Sequence, residues 1–192
     1  MRKILKKQYR RKEEGKTDYR KRLRLLMSRK SRAVVRRANN NITIQIVNYE
    51  DAGDKILAGA NSRTLLKQYG WKAHKGNIPA AYLTGLMCGK KAVANGVKEA
   101  ILDLGFQKPQ QKGIIYASLK GLVDGGLNIP HSKEILPEED VIKGKKIEDY
   151  ANKLKENADA YKKQFSNYIK NNIKPEEITK HFEEVKNKII KG

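Results

Sequence analysis

Acidic residues are nearly missing from the front of this chain. Residues 1–37 hold 3 Asp and Glu against 17 Lys and Arg, a net of about +14 out of the whole chain's +21. Solvated helix faces mix signs, so a block of one sign argues against that ordinary reading. Cysteine is almost absent too. The one thiol, Cys88, excludes an intrachain disulfide and a zinc ribbon of cysteines. Set between Met87 and Gly89, it reads as a small buried hydrophobe and fits a reducing compartment. No apolar run approaches the ~20 residues that span a bilayer. The opening Met1-Arg2-Lys3-Ile4-Leu5-Lys6-Lys7 has no apolar stretch after its charges. The expectation is therefore a cytoplasmic protein without a secretory signal. The basic segment also lacks Trp and Phe and has no large apolar face, which disfavours a membrane surface as its target.

Signatures of catalysis are equally sparse. His74, His131 and His181 are far apart, and none has a second ligand at metal spacing. The segment Gly121–Gly126 is not followed by Lys-Ser or Lys-Thr, so it is no phosphate loop, and no Gly-x-Ser-x-Gly elbow occurs. No cofactor and no metal site is expected. The rival from the enzyme class is a metal-dependent RNA nuclease built on Asp51, Asp54, Asp103 and Asp124.

What is present points to nucleic acid. Each Lys or Arg that neutralises a phosphate releases condensed counterions, which gives affinity without regard to sequence. The candidate contacts of the arm are Lys7, Tyr9, Arg10, Arg11, Lys16, Thr17, Tyr19, Arg20, Lys21, Arg22, Arg24, Arg29, Lys30 and Arg32. Arg36 and Arg37 extend them onto the first strand. Tyr9 and Tyr19 interleave with the arginines and offer stacking beside phosphate contacts. The basic stretch Trp71–Gly76 adds Trp71, Lys72, His74 and Lys75, with His74 read as a phosphate or base contact. For His131 the reading is a structural hydrogen bond, and for His181 the polar side of the last helix. Composition alone leaves RNA and DNA open.

The 192 residues suit one α/β domain with appendages. We expect a basic arm with a short helix over residues 1–30, a core over 31–146 and a helical C-terminal extension over 147–192. Within the arm, Met1–Gly15 lacks apolar periodicity and is expected to order only on its partner. Thr17 is the expected cap of a helix that turns Tyr19, Leu23 and Leu26 inward. Runs at 33–38 and 42–47, with Asn39-Asn40-Asn41 between them, predict a hairpin. Lys55–Ser62 adds a third strand to the meander. Ser62 is read as the cap of a helix that buries Leu65, Leu66 and Tyr69 and ends at Gly70. Asn77-Ile78-Pro79 opens the clearest helix. Its Gly85 and Gly89 form a flat stripe suited to a sheet or an RNA backbone. A buried strand at 100–104 after that helix implies a parallel pairing through a crossover, so the sheet is small and mixed, with helices packed on it. A further helix spans 113–127, and 137–144 reads as an acidic loop. Apolar residues from Ile147 to Tyr168 keep helical spacing for more than five turns. Pro175 then starts a last helix lined by Ile178, Phe182, Val185 and Ile189.

Four blocks carry a resemblance: Glu14–Leu23, Asn77–Leu86, Leu119–Leu127 and Ile129–Ser132. In this order they resemble the archaeal and eukaryotic 5S-rRNA-binding protein family of the large ribosomal subunit, the family numbered eighteen in the universal naming. The match runs from about Tyr9 to Tyr150, and the presence of Gly15–Asp18 and Ile129–Ser132 is similar to the archaeal type. The resemblance implies an α/β core and attachment of 5S rRNA to the large subunit in the central protuberance. It also implies contacts to the large-subunit rRNA and to neighbouring ribosomal proteins, no catalysis, and no DNA or membrane partner. It places RNA contacts on the first block and, further along, on Trp71–Asn77.

Overall fold

The computed structural model describes residues 7–192. The first six residues of the expected arm lie outside them. A single exposed turn, α1 (Arg10–Glu13), precedes α2 (Tyr19–Met27). Asp18, not Thr17, caps α2: its Oδ1 accepts from the backbone N–H groups of Arg20 and Lys21, both at 3.1 Å. The half-buried side of α2 carries Tyr19, Arg22, Leu25 and Leu26, whereas Leu23 is 63% exposed. The expected inward face is thus rotated, because Arg22 is held inward by a carboxylate described below.

Three strands follow as a meander: β1 (Ser31–Arg37), β2 (Ile42–Asn48) and β3 (Lys55–Asn61). The hairpin between β1 and β2 closes with Ala38 N–H donating to Asn41 O at 2.8 Å. β4 (Ala100–Asp103) pairs parallel to β1, Ser31 opposite Ala100, and the sheet order is β3-β2-β1-β4. The mixed sheet with its parallel strand is the one the sequence predicts. Between β3 and β4 lie α3 (Ser62–Tyr69) and α4 (Ile78–Ala94). Asn61, rather than Ser62, caps α3, its Oδ1 accepting from Arg63 N–H at 2.8 Å. Ser62 Oγ instead accepts from Ile42 N–H in the core. Leu65 is buried as expected, but Leu66 remains 40% exposed.

Ile42, Ile44 and Ile46 point from β2 into the core, all with no exposed surface, and α4 covers that face. Period-two alternation then leaves Arg32, Val34, Arg36, Thr43, Gln45, Gly59 and Asn61 on the other face.

The glycine stripe of α4 meets neither sheet nor RNA. It faces a second stripe formed by Gly121 of α5 (Ile114–Asp124) and Gly125 at its C-terminal cap. A Cβ at Gly89 would lie 2.8 Å from Leu122 O, and one at Gly125 would lie 2.9 Å from the Cα of Gly89. Only glycine permits this backbone approach. Gly85 sits by Ser118 and Gly89 by Leu122, so the two helices run parallel.

The segment expected as an acidic loop forms α6 (Glu139–Lys143). Glu139 and Asp140 stand in its first turn, which favours the helix, and Gly144 closes it in the left-handed region. The long C-terminal run is broken into α7 (Lys145–Leu154), α8 (Ala158–Gln164) and α9 (Ser166–Lys170). Asn157 restarts the chain as a cap, accepting from Ala160 N–H at 3.1 Å. Phe165 turns inward between Tyr150, Tyr161 and Tyr168. After a 3₁₀ turn at Pro175–Glu177, α10 (Ile178–Lys191) lays Ile178, Phe182, Val185 and Ile189 into the same hydrophobic core as α4. Lys90 of α4 fastens it, its Nζ donating to Ile189 O at 2.9 Å and Ile190 O at 2.6 Å. Among the described residues, no helix is long and apolar enough to cross a membrane.

Candidate nucleic-acid interface

The arm is anchored to the outer face of the sheet by a relay of guanidinium and carboxylate groups. Arg22 Nη2 reaches Asp54 Oδ1 at 2.9 Å, and Arg32 Nη2 reaches Asp54 Oδ2 at 2.7 Å. Arg32 Nη1 also holds Asp103 Oδ2 at 2.9 Å, and Arg36 Nη2 holds Asp103 Oδ1 at 3.2 Å. Sequence alternation builds this cluster. Arg32 and Arg36 share a face of β1, and the parallel register sets Asp103 beside Val34 between them. Burial pushes the Asp54 carboxyl up, but hydrogen bonds and charge from Arg32 and Arg22 outweigh it and hold the group below the usual carboxylate range.

Arg32 is therefore not a phosphate contact. It is only 3% exposed and spans two carboxylates. Arg22 and Arg36 are part of the same scaffold. The relay also uses the acids that a metal-dependent nuclease would need. Asp54 and Asp103 do come together, but around Arg32. Asp124 accepts from the Tyr82 hydroxyl at 2.7 Å, and Asp51 is exposed in its turn. Among the described residues, no cluster of three or more His, Cys, Asp or Glu could hold a metal ion.

The cations that face outward are different ones. Arg20, Arg24 and Arg29 are exposed, with no carboxylate partner among the described residues. Arg20 and Arg24 share the outward face of α2 with Leu23 and with Met27, which is 75% exposed. Lys7 is exposed beyond α1. Several others have weak exposed partners: Arg10 and Lys16 on Glu14, Lys30 on Glu99. Arg11 Nε donates to Thr17 Oγ1 at 2.9 Å, which folds the arm back on itself. Lys21 Nζ donates to Gly105 O at 3.3 Å. Tyr9, 72% exposed, packs on Tyr19 with ring centres 5.0 Å apart. A cleft of about 340 Å³ opens between this layer and the sheet, lined by Arg11, Lys16, Arg36, Val34 and Gln45 among others. On the opposite face from this cleft, Arg37 is exposed at the end of β1, where Gln107 bonds both its N–H and its carbonyl. Thr43, Gln45 and Asn61 form the uncharged part of the outer sheet face, whose acids Asp54 and Asp103 are both held by arginines. The sequence reading passed them over, although their alternation with the buried Ile residues was the available signal.

The Trp71–Gly76 stretch divides in the same way. Trp71 has no exposed surface, so it is core and not a stacking platform. Its Nε1–H donates to His74 O at 3.2 Å, and the His181 ring stacks on it at 5.1 Å with planes 10° apart. His181 is accordingly half-buried rather than on the polar side of its helix, and its Nε2 accepts from Lys72 N–H at 3.3 Å. Burial lowers its pKa. His74 and Lys75 are half-buried and Lys72 is exposed. Burial first, then the charge of Lys75, lowers the pKa of His74. His131 makes the expected local bond, Nδ1 to Ile129 O at 2.7 Å.

Residues 3–98 match a family described as "Ribosomal large subunit proteins 60S L5, and 50S L18". The large ribosomal subunit protein uL18 of Methanococcus maripaludis is 49% identical over 182 residues, covering 95% of this chain and 94% of that protein. The similarity therefore runs past Tyr150 into the C-terminal helices, beyond the motif blocks that first carry the resemblance. Taken with an RNA-compatible basic surface on a mixed sheet, these matches show that the chain belongs to the L18 family of large-subunit ribosomal proteins, whose role is structural rather than catalytic.

Proposed function

We propose that this protein binds 5S rRNA and attaches it to the large ribosomal subunit in the central protuberance. It also contacts the large-subunit rRNA and neighbouring ribosomal proteins there. The observation that carries this reading is the cation row Arg20, Arg24 and Arg29, exposed and without a carboxylate partner among the described residues, beside a sheet face whose acids Asp54 and Asp103 are held by Arg22, Arg32 and Arg36. The Asp54–Arg32–Asp103 relay makes the support rigid, so free guanidiniums on α2 meet paired phosphate oxygens in a fixed geometry. Exposed Leu23 and Met27 give the same face apolar surface for sugars and bases. Lys7, Tyr9, Arg10, Arg11, Lys16 and Thr17 contribute charge and stacking contacts of the arm, and Arg37 adds a cation at the end of β1.

The test is a titration of purified protein against 5S rRNA and an unrelated folded RNA of equal length, at two salt concentrations. Tighter binding to 5S rRNA that survives the higher salt is the expected result. Equal binding to both RNAs, lost together as salt rises, would refute the specificity.

A further inference from the structure

The parallel run of α4 and α5 brings their N-terminal ends to one side of the molecule, and α7 begins there as well. Between these ends and the loop at 108–112 lies a groove of about 600 Å³. Arg37 reaches its rim from the helix-covered side of β1, so the groove faces away from the cleft beneath the arm. The two share no lining residue.

The floor of the groove is aliphatic. Ile78, Ile114, Val141 and Ile147 line it, and each is only half-buried. Its wall is cationic. Lys108 and Lys146 are exposed, with no carboxylate partner among the described residues, and Lys112 stands with them. No Asp or Glu lines the groove. Glu138, beside it, shows which group this field favours. Lys112 Nζ donates to Glu138 Oε1 at 2.8 Å. That bond and the charge of Lys112, helped by Lys146, outweigh desolvation and the nearby Asp140 and hold the Glu138 carboxyl below the usual carboxylate range. The helix ends add to the same sign. Gly113 and Gly144 open α5 and α7 without a side-chain cap, so their first turns keep N–H donors for an incoming oxygen.

This combination separates two classes of anion. An unpaired nucleic-acid strand is held by stacking its bases, and no Phe, Tyr, Trp or His lines the groove. An extended peptide whose carboxylates alternate with aliphatic side chains satisfies both wall and floor. Its carboxylates meet the lysines, and its Leu or Ile side chains cover the half-buried floor. Charge complementarity thus names the occupant. We propose that this groove docks an acidic, aliphatic-rich segment of a neighbouring protein of the large subunit, while the arm holds 5S rRNA on the other side. The inference deepens the ribosomal-protein contacts proposed above and rests on that reading.

The experiment uses full-length protein loaded with 5S rRNA, so that the arm is occupied. The probe is a short labelled peptide in which Asp and Glu alternate with Leu and Ile, followed by fluorescence anisotropy. The loaded complex should bind it, and should bind more weakly a peptide with Ser in place of the Leu and Ile. Lys108→Glu combined with Lys146→Glu should weaken binding by about tenfold, the share of two exposed ion pairs. Ile114→Ala should weaken it with no change in salt dependence. Glu138→Gln frees Lys112 and should tighten binding about two- to fivefold, the range of one exposed ion pair. Affinity for 5S rRNA should stay within about twofold throughout, since these contacts lie off the arm. Thermal unfolding confirms that each variant keeps the fold, and Lys108→Glu alone serves if the double variant does not. The proposal is overturned if the complex does not bind the peptide, if the substitutions leave binding unchanged, or if the serine peptide binds as tightly. It is overturned equally if 5S rRNA affinity falls in parallel, or if a single-stranded oligouridylate binds more tightly than the peptide and is lost with the same substitutions. Failure of wild-type protein to prefer 5S rRNA over unrelated RNA would instead sink the function proposed above, and titration of the unloaded protein with the same peptides and variants then decides the groove.

Discussion

Replacing Arg32 by alanine should damage the protein's stability and leave its charge-driven RNA binding almost intact. The guanidinium is 4% exposed at the side chain and joins Asp54 Oδ2 at 2.7 Å to Asp103 Oδ2 at 2.9 Å. Removing one member of a buried ion pair costs about 3–5 kcal/mol, because the remaining carboxylate is left buried without compensation. Asp103, at 8% side-chain exposure, keeps Arg36 at 3.2 Å, while Asp54, at 26%, keeps Arg22 and some water. Those residual partners put the expected loss near the lower end, about 3 kcal/mol. Urea unfolding should therefore show a lower midpoint with a nearly unchanged slope. A double-mutant cycle with Asp103→Asn should return a coupling of ~1–3 kcal/mol. The matched control is Arg24→Ala. It is exposed and has no carboxylate partner among the described residues, so stability should move by less than about 0.5 kcal/mol, while the salt slope of RNA binding drops by ~0.9, one phosphate's share. The reasoning is refuted if Arg32→Ala unfolds within 1 kcal/mol of wild type, by the ~0.5–1 kcal/mol scale of surface changes, or if it lowers the salt slope as Arg24→Ala does.

Three other outcomes are expected. Gly85→Ala forces its Cβ onto the backbone at Ser118, so α4 and α5 must separate, at a cost of ~1–3 kcal/mol or more measured by denaturant unfolding; a stable variant would contradict the close approach. His74 and His181 both have lowered pKa values in the fold. They bind protons more readily when unfolded, so stability is full above the ordinary histidine value near ~6.5 and declines as pH falls below it. The urea midpoint should drop between about pH 7 and pH 5, and less steeply in His181→Gln; a flat profile over that window would count against it. The Cys88 thiol is buried and pushed up to about 12, so it should resist thiol reagents in native protein and react at once in denaturant.

Much of the fold is legible because local pattern and tertiary demand agree. The alternation Ile42, Ile44, Ile46 dictates one buried sheet face, and Asn39–Asn41 dictate the hairpin. Pro79 near the start of α4 and the glycines beyond each end of α4 and α5 mark those helices. What misled the reading were choices that only packing settles. Leu23 has the spacing of an inward residue, yet Asp54 draws Arg22 inward and rotates α2. The apolar run 147–168 keeps one period, but Asn157 and Phe165 break it where the chain must wrap round the core. The glycine stripe of α4 could only be paired once its counterpart on α5 was seen across the interface. For the candidate site, total charge pointed to the arm but could not sort its members into exposed cations and buried scaffold. Trp71 and Arg32 look like contacts in sequence and prove to be interior, because their partners, His181 and Asp103, lie 110 and 71 residues away.

The fastening of α10 onto α4 has a consequence for how the molecule is made. Lys90 meets the carbonyls of Ile189 and Ile190, and Phe182, Val185 and Ile189 fill a core whose other walls were synthesised long before. At ~5–20 residues per second, the hundred residues between Lys90 and Ile190 take about 5–20 s to emerge. Throughout that interval α4 carries an uncovered apolar side, in a chain already bearing the cationic arm at its leading end. The nascent protein is therefore exposed to two hazards at once, self-association through the open groove and indiscriminate capture of any nearby RNA. Arrival of the last helix closes the first of these, and only the correct RNA closes the second.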